Sequence, residues 1–438
     1  MILAGLLIPT ILLMSYTRFG VGLIMVCGIF VLDTITMGDG GIRFVLNLYY
    51  TDMVLGLIAL VAVLRMVCAR DAPHKNPAWL WFCGFVCLSM SLGLVTFGSA
   101  AGVQARGYFY FMVASVYAMS FSLTEARLRQ IFDAFTLTAV ILVMIAIYRW
   151  IVFYTPIPSL LPPGGRYNID GEIRVIYSNH ALVLAQVLVG GLFFATASRG
   201  FFIARMISPA LLTTVLVLQH RSVWLAGIVG VLIRLLLGNS KSGSAVGQVV
   251  LLICIAGSAA VPMVFDSKLA GVSEQVGSSA SRALSSGGTG GERLESWGEI
   301  VKNWYRAGPR SIAIGQSFGT DNTRYVHDSQ GVTRKISYIA HNLYVQTLFN
   351  TGLLGLIAYL AANWYVMAGL YRICRDGRGG VECEVLLVLI AMQIIYYIPY
   401  GVDYLQSFLF GAALAYVAEK KAAMAHVVQP SSATRQAL

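Results

Sequence analysis

Long apolar runs separated by short polar connections fill most of the chain. Runs of span length fall at about 51–70, 78–98, 107–122, 129–153, 174–196, 200–218, 221–237, 247–265, 343–371, 382–398 and 404–418. A bilayer core of roughly 30 Å needs about 20 helical residues, so each run predicts a membrane-crossing helix. Residues 1–34 are ambiguous. "MILAGLLIPTILLM" is too short to span, and Arg18 separates it from a second apolar run at 19–34. The two pieces predict either a hairpin of short helices or one broken span. Counted once, they give about 12 spans with both chain ends on one side. Counted twice, they move the N-terminus across. The N-terminal run lacks a basic region and a small-residue cleavage site, so no cleavable signal peptide is expected.

Residues 266–340 form the one long hydrophilic segment, and loops of such length in compact proteins are usually functional or disordered. Within it, "GERLESWGEIVKNWYRAG" places Leu294, Trp297, Ile300, Val301 and Trp304 at helical spacing. That predicts an amphipathic helix, opened by Arg293, lying at the membrane surface or under a lid. The preceding "GSSASRALSSGGTGG" reads as a hinge. The expected organisation is an all-α polytopic bundle: N-terminal transmembrane helices in 1–265, a loop or lid in 266–340, C-terminal transmembrane helices in 341–418 and a tail in 419–438.

Composition agrees. The chain has 438 residues, 57% hydrophobic and 12% charged, with mean hydropathy +0.73, which is too little charge to cover a soluble surface. Lys and Arg gather on alternate connections: Arg65, Arg70 and Lys75; Arg127 and Arg129; Arg199 and Arg205; Arg234 and Lys241; Arg372, Arg375 and Arg378; Lys420 and Lys421. The positive-inside trend makes that side cytoplasmic and puts 35–50, 154–173, the turn before Arg221 and 266–340 outside. The net charge of +11 is what cytoplasmic residues facing anionic lipid produce, and implies no nucleic-acid partner. The seven cysteines lie mostly in apolar runs and read as small hydrophobes.

Three outer-face residues run against the membrane's preferences. Arg221, in "LVLQHRSVWLAG", sits between two apolar runs, where charge tends to mark a substrate path. The plainer alternative is an interface arginine that snorkels beside Trp224. Arg293 begins a helix, where the dipole disfavours a cation, although Glu292 and Glu295 offset this. A solvated surface arginine is its plainer reading. His341 precedes "NLYVQTLFNTGLLG", with Asn342 placed to cap the helix. The dipole and the low dielectric both favour the neutral imidazole, the form that accepts a proton. A structural histidine bonded to a carbonyl is the alternative. The outer loops carry no HExxH or clustered-carboxylate metal pattern. A pair of arginines suits a diphosphate, because guanidinium forks match phosphate oxygens.

"QHRSVW", then "ERLESW" in a large loop, then "AHNLYVQTLFNTGLLGL" resemble the signature of bacterial O-antigen ligases and the related O-antigen polymerases. One departure is His220-Arg221-Ser222 where Ser-Arg-Gly is common. The resemblance implies an inner-membrane glycosyltransferase of GT-C type with its site facing the periplasm. It implies no cofactor and no metal. The donor would be O-antigen linked to undecaprenyl diphosphate, and the acceptor a sugar hydroxyl of lipid A-core, with inversion at the anomeric carbon. By resemblance, Arg221 and Arg293 bind the diphosphate, His341 activates the acceptor, and Asn342, Trp224 and Trp297 support them. The ligase is favoured over a polymerase joining lipid-linked repeats, which would use the same residues. A protein O-oligosaccharyltransferase is a further relative. A transporter fits less well, because the arginines cluster at one face and no repeat is visible.

Overall fold

The structure is a computed structural model and describes residues 2–36, 49–68, 76–155, 157–161, 168–169, 172–237, 289–327, 333–337 and 339–428. It is mostly helical. The N-terminal part contains α1 (Ile2–Thr17), α2 (Phe19–Thr36), α3 (Tyr50–Cys68), α4 (Pro77–Phe97), α5 (Ser99–Met119) and α6 (Glu125–Tyr154). A short hairpin, β1 (Asn168–Ile169) with β2 (Glu172–Ile173), precedes α7 (Ser178–Phe194), α8 (Arg199–Met206), α9 (Ser208–Val217) and α10 (Arg221–Leu237). Then come α11 (Thr289–Arg306), α12 (Pro309–Ile314) and the hairpin β3 (Arg324–His327) with β4 (Thr333–Ile336). The chain closes with α13 (Leu343–Arg375), α14 (Gly380–Tyr396) and α15 (Tyr404–Val428).

Among the described residues, α2, α3, α4, α6 and α13 are each long and apolar enough to cross a membrane. A sixth arises if α7 and α8 count as one span, although they meet at 98°. The expected span at 247–265 lies outside the described residues, as do the hinge up to residue 288 and the tail beyond 428. Residues 1–34 resolve into two helices parted at Arg18, of which only the second reaches span length. The expected span at 200–218 is two pieces. Ser198 caps α8 with its side chain, and Pro209 at the start of α9 cannot continue the previous helix. Arg293 does not open its helix: α11 begins at Thr289, so Thr289–Gly291 of the expected hinge are already helical. The β3–β4 hairpin had no helical or strand signal in the sequence.

Helix α13 is not continuous. Gly352 has φ 69°, and the backbone breaks there into two helical pieces. The break is filled by α12 and the residues after it. Gln316 N–H donates to Phe349 O at 2.7 Å, and a side chain at Gly352 would collide with the backbone of Ala313 and Gly315. Two backbones therefore cross where only glycine fits.

Buried polar side chains tie the helices together where water cannot. Arg149 of α6 donates to Val175 O at 2.7 Å, Thr34 O at 2.7 Å and Ile35 O at 3.0 Å. It thus closes the C-terminal carbonyls of α2 and anchors the chain entering α7. Arg65 does the same at the other end, with Tyr16 O at 2.6 Å and Ser120 O at 3.0 and 3.1 Å. The side-chain amides of Gln186 (α7) and Gln406 (α15) exchange hydrogen bonds of 2.9 and 2.7 Å. Ion pairs at the basic end join Arg129 to Glu382 and Lys420 to Glu125, each at 2.6 Å. The connections expected to share one side do meet at one end of the bundle.

Arg149→Met should lower thermal stability in detergent clearly more than Lys302→Met, which breaks the solvent-exposed 2.6 Å pair between Lys302 and Glu299. Arg149→Met strands three carbonyls in a dry interior at about 1–3 kcal/mol per unsatisfied group, against about 0–1 kcal/mol for an exposed ion pair. Differential scanning fluorimetry of both variants checks the ranking, and equal shifts would refute it.

Candidate functional site

At the end of the bundle opposite the ion pairs lies a cavity of about 620 Å³. Its walls come from the last turn of α2, the start of α3, the middle of α5, the entry to α7, the end of α14 and the turn before α15. His341 is on its surface. The histidine is held by its neighbours: Asn342 accepts from Val345 N–H at 2.9 Å as helix cap, and Leu343 N–H donates to Tyr400 O at 2.9 Å and Tyr397 O at 3.1 Å. The start of α13 is thereby fastened to the turn after α14.

Helix α11 lies over this start. Ile300 and Trp304 are buried with Ala340 and Phe349, and Trp297 and Val301 pack against them. Leu294 is left exposed, so the apolar face is one turn shorter than the spacing predicts. The packing sets Arg293 above the ring of Tyr400, 5.6 Å from its centroid. Tyr400 stacks on Tyr396 at 4.8 Å, and the Tyr396 hydroxyl shares a 2.8 Å hydrogen bond with Ser178. Both tyrosines and Ser178 line the cavity. Arg293 thus stands at its rim rather than in its wall.

Arg324 is a residue that the sequence reading missed. It is buried, and donates to Ser296 Oγ at 2.6 Å and Asn322 O at 2.9 Å, which joins β3 to α11. Glu295 adds a second clasp, accepting from His327 N–H at 3.1 Å and from the His327 ring at 2.8 Å. Partial burial, then the guanidinium groups of Arg293 and Arg324, push the His341 pKa below the ordinary imidazole value. Its neutral form is favoured, as the dipole argument expects.

Arg221 begins α10, just after a strained turn. Gln219 has φ 54°, a left-handed conformation unusual for a side chain of that size. His220 is buried and donates through Nε2 to Ile176 O at 3.1 Å. Burial, then the nearby Arg174, lowers its pKa to about 3 and keeps it neutral. The bond ties the first turn of α10 to the residue preceding Tyr177, which lines the cavity. Arg221 is half-buried there and is itself outside the cavity wall. Trp224 donates to Val215 O at 3.0 Å and so fixes α10 to α9. The structure therefore brings His341 into the chamber wall and Arg293 to its rim, whereas the Arg221 turn is joined to the chamber only through the His220–Ile176 bond beside Tyr177.

The opposite wall is polar and was not foreseen. Asp33 accepts from Tyr404 OH at 2.5 Å and Thr51 Oγ at 3.1 Å. Asp52 accepts from Tyr110 OH at 2.5 Å and Tyr49 N–H at 2.8 Å, and pairs with Arg106 at 3.3 Å. Behind them, Asp403 accepts from Asn179 at 2.7 Å and from Gln406 N–H at 2.9 Å, and burial raises its pKa to about 6. These residues sit at helix ends that the hydropathy pattern treats only as boundaries. The one available signal is that Asp33 and Asp52 are charges at the ends of otherwise apolar runs. Among the described residues, no three His, Cys, Asp or Glu side chains converge as a metal site.

Residues 184–360 match a family model described as O-antigen ligase. The match contains Arg221, Trp224, Arg293, Trp297, His341 and Asn342, and leaves out Asp33 and Arg106 of the cavity wall and Asp52 behind it. No curated protein matches the chain.

The His341 titration is measurable directly. Carbethoxylation of His341, read by mass spectrometry of the peptide across pH, should show a midpoint below about 6.5, the ordinary imidazole value. Arg324→Gln removes one positive charge and should move that midpoint upward. A midpoint at the ordinary value, unchanged in the variant, would refute the electrostatic assignment.

Proposed function

Starting from an O-antigen ligase family segment over residues 184–360, we propose that this membrane protein is a lipid-linked glycan transferase, acting as the ligase. The donor is O-antigen polysaccharide on undecaprenyl diphosphate, and the acceptor is a sugar hydroxyl of lipid A-core. The site faces the periplasm from the inner membrane. The observation that carries the reading is His341, favoured neutral, on the wall of a cavity whose rim holds Arg293.

The reaction follows from those parts. The acceptor oxygen attacks the anomeric carbon from the face opposite the diphosphate, and its proton passes to a neutral ring nitrogen of His341. The bond from the anomeric carbon to the diphosphate oxygen breaks, and the lipid diphosphate leaves with the electron pair. Arg293 and Arg221 meet the charge that this departure concentrates on phosphate oxygens. Undecaprenyl diphosphate needs no further activation, so a base and fixed positive charge suffice. Lipid tails stay in the bilayer while the polar ends meet at the helix termini, which explains a site at the boundary.

A polymerase joining lipid-linked repeats would use the same side chains. A deletion strain separates the two readings. Bare core with polymer left on the carrier supports the ligase, whereas core capped by a single repeat supports the polymerase.

Two sets of variants test the roles. His341→Ala should abolish transfer, a loss of about 10²–10⁴-fold, while binding of undecaprenyl diphosphate persists. An active His341→Gln would leave the histidine as scaffold. Arg221→Lys and Arg293→Lys keep charge but lose the fork, and each should cut transfer about tenfold or more. Wild-type rates in both lysine variants, at equal abundance, would remove the clamp.

A further inference from the structure

Arg293 stands over Tyr400 at the cavity rim. The lining itself carries Asp33 and Arg106, and Arg106 is paired at 3.3 Å to Asp52, which lies behind the lining, and stands 4.6 Å over the Tyr49 ring. The Asp33 and Asp52 carboxylates offer oxygens that only accept hydrogen bonds. Each carboxylate is already oriented by a tyrosine hydroxyl at 2.5 Å, so little ordering remains when a ligand donor arrives. Asp33 also lies in the last turn of α2, where the helix dipole disfavours an anion. A position that is costly for stability suits a binding role better than a structural one.

A second, independent observation lies in the same cavity. His180 lines it and is only 1% exposed. Its Nε2 donates to Phe30 O at 3.2 Å, which leaves Nδ1 as an acceptor, and Nδ1 has no partner. Buried polar atoms are normally satisfied, so an orphan acceptor on a cavity wall calls for a donor from a ligand. Tyr49, Tyr110 and Tyr177 supply aromatic surface around these acceptors. Acceptors without free cations, set among aromatic rings, match a ligand rich in hydroxyl donors with apolar C–H faces. The cavity volume falls within the roughly 300–1,000 Å³ of small-ligand sites.

We propose that the wall formed by Asp33, Tyr49, Tyr110 and His180, with Asp52 orienting Tyr110 from behind, is a saccharide subsite that orients a pyranose ring against His341. It rests on the glycan-transferase reading and deepens it. All five residues lie outside residues 184–360, the segment that matches the family model. The matched segment holds the diphosphate and the base, and the unmatched wall selects the sugar. The ring is either the first sugar of the donor or the acceptor sugar, since both present the same hydroxyl chemistry.

Binding to the detergent-solubilised full chain, by microscale thermophoresis, separates the sources. The probes are undecaprenyl diphosphate alone, the same lipid carrying one hexose, and core oligosaccharide released from lipid A. The wild-type protein should bind the glycosylated lipid about tenfold tighter than the bare lipid, the worth of one charge-assisted hydrogen bond. If the subsite holds the donor sugar, Asp33→Asn, Asp52→Asn and Tyr110→Phe erase that gain. If it holds the acceptor sugar, they weaken the oligosaccharide by a similar factor. In both cases affinity for the bare lipid stays at the wild-type level, which also reports intact folding. Variants that keep every saccharide affinity overturn the subsite, as do variants that lose bare lipid equally, since the residues then only shape the cavity. A wild-type protein that binds neither lipid overturns the transferase reading itself, and the subsite with it.

Discussion

The candidate site depends on how helix ends are closed in a medium without water. The last four carbonyls of a helix have no partner within it, and in the membrane none comes from solvent. Arg149 answers this for α2. By donating to Thr34 O, Ile35 O and Val175 O, one side chain fixes the turn carrying Asp33 and the segment that leads into Tyr177, Ser178 and His180. Two walls of the cavity are thus set by one guanidinium that does not itself line the cavity. Arg65 performs the matching task at the opposite end, where it also lies 3.6 Å from the centre of the Phe121 ring. Both arginines sit on apolar helices and count, in a hydropathy plot, only as interruptions.

A second constraint acts on the other half of the site. Helix α13 must start at the cavity and also accommodate α12 at its flank, and the break at Gly352 allows both. The short first piece is capped by Asn342 and tied through Leu343 N–H to Tyr400 O and Tyr397 O, which sets His341 on the cavity surface. Helix α11 then docks through Ile300 and Trp304 and is clasped to the β3–β4 hairpin through Arg324 and Glu295. Arg293 is therefore placed by packing two turns away together with its own stacking over Tyr400. The same docking brings positive charge near His341 and favours its neutral state. One arrangement both sets Arg293 at the cavity rim and shapes the electrostatics of His341.

The sequence by itself determined the helical membrane class and singled out candidate residues within the matched segment. Apolar runs of span length gave the helical bundle, because a membrane leaves few other solutions for the backbone. α10 has the limits that the pattern sets, and the alternation of basic connections anticipates the end where Glu125, Glu382 and Glu384 find their partners. His341, Arg293 and Arg221 stood out because they oppose the preferences of their surroundings, and a local conflict is visible in one dimension. The cap at Asn342 and most of the apolar face of α11 were legible for the same reason: their partners lie within a few residues.

Only the tertiary structure decided what required distant segments to meet. The hydrogen-bonded cluster of Asp33 and Asp52 joins α2, α3, α5 and α15, whose residues are up to 371 positions apart. Arg174, His180, Asp403 and Arg324 acquire meaning only beside partners that no local pattern names. The break in α13, the division of 200–218 and the hairpin at 324–336 were equally hidden. Hydropathy reports how apolar a stretch is and not where its axis bends, and a bend is set by the backbone packed against it. Charge in an apolar run announces that a partner exists; the fold alone says which one.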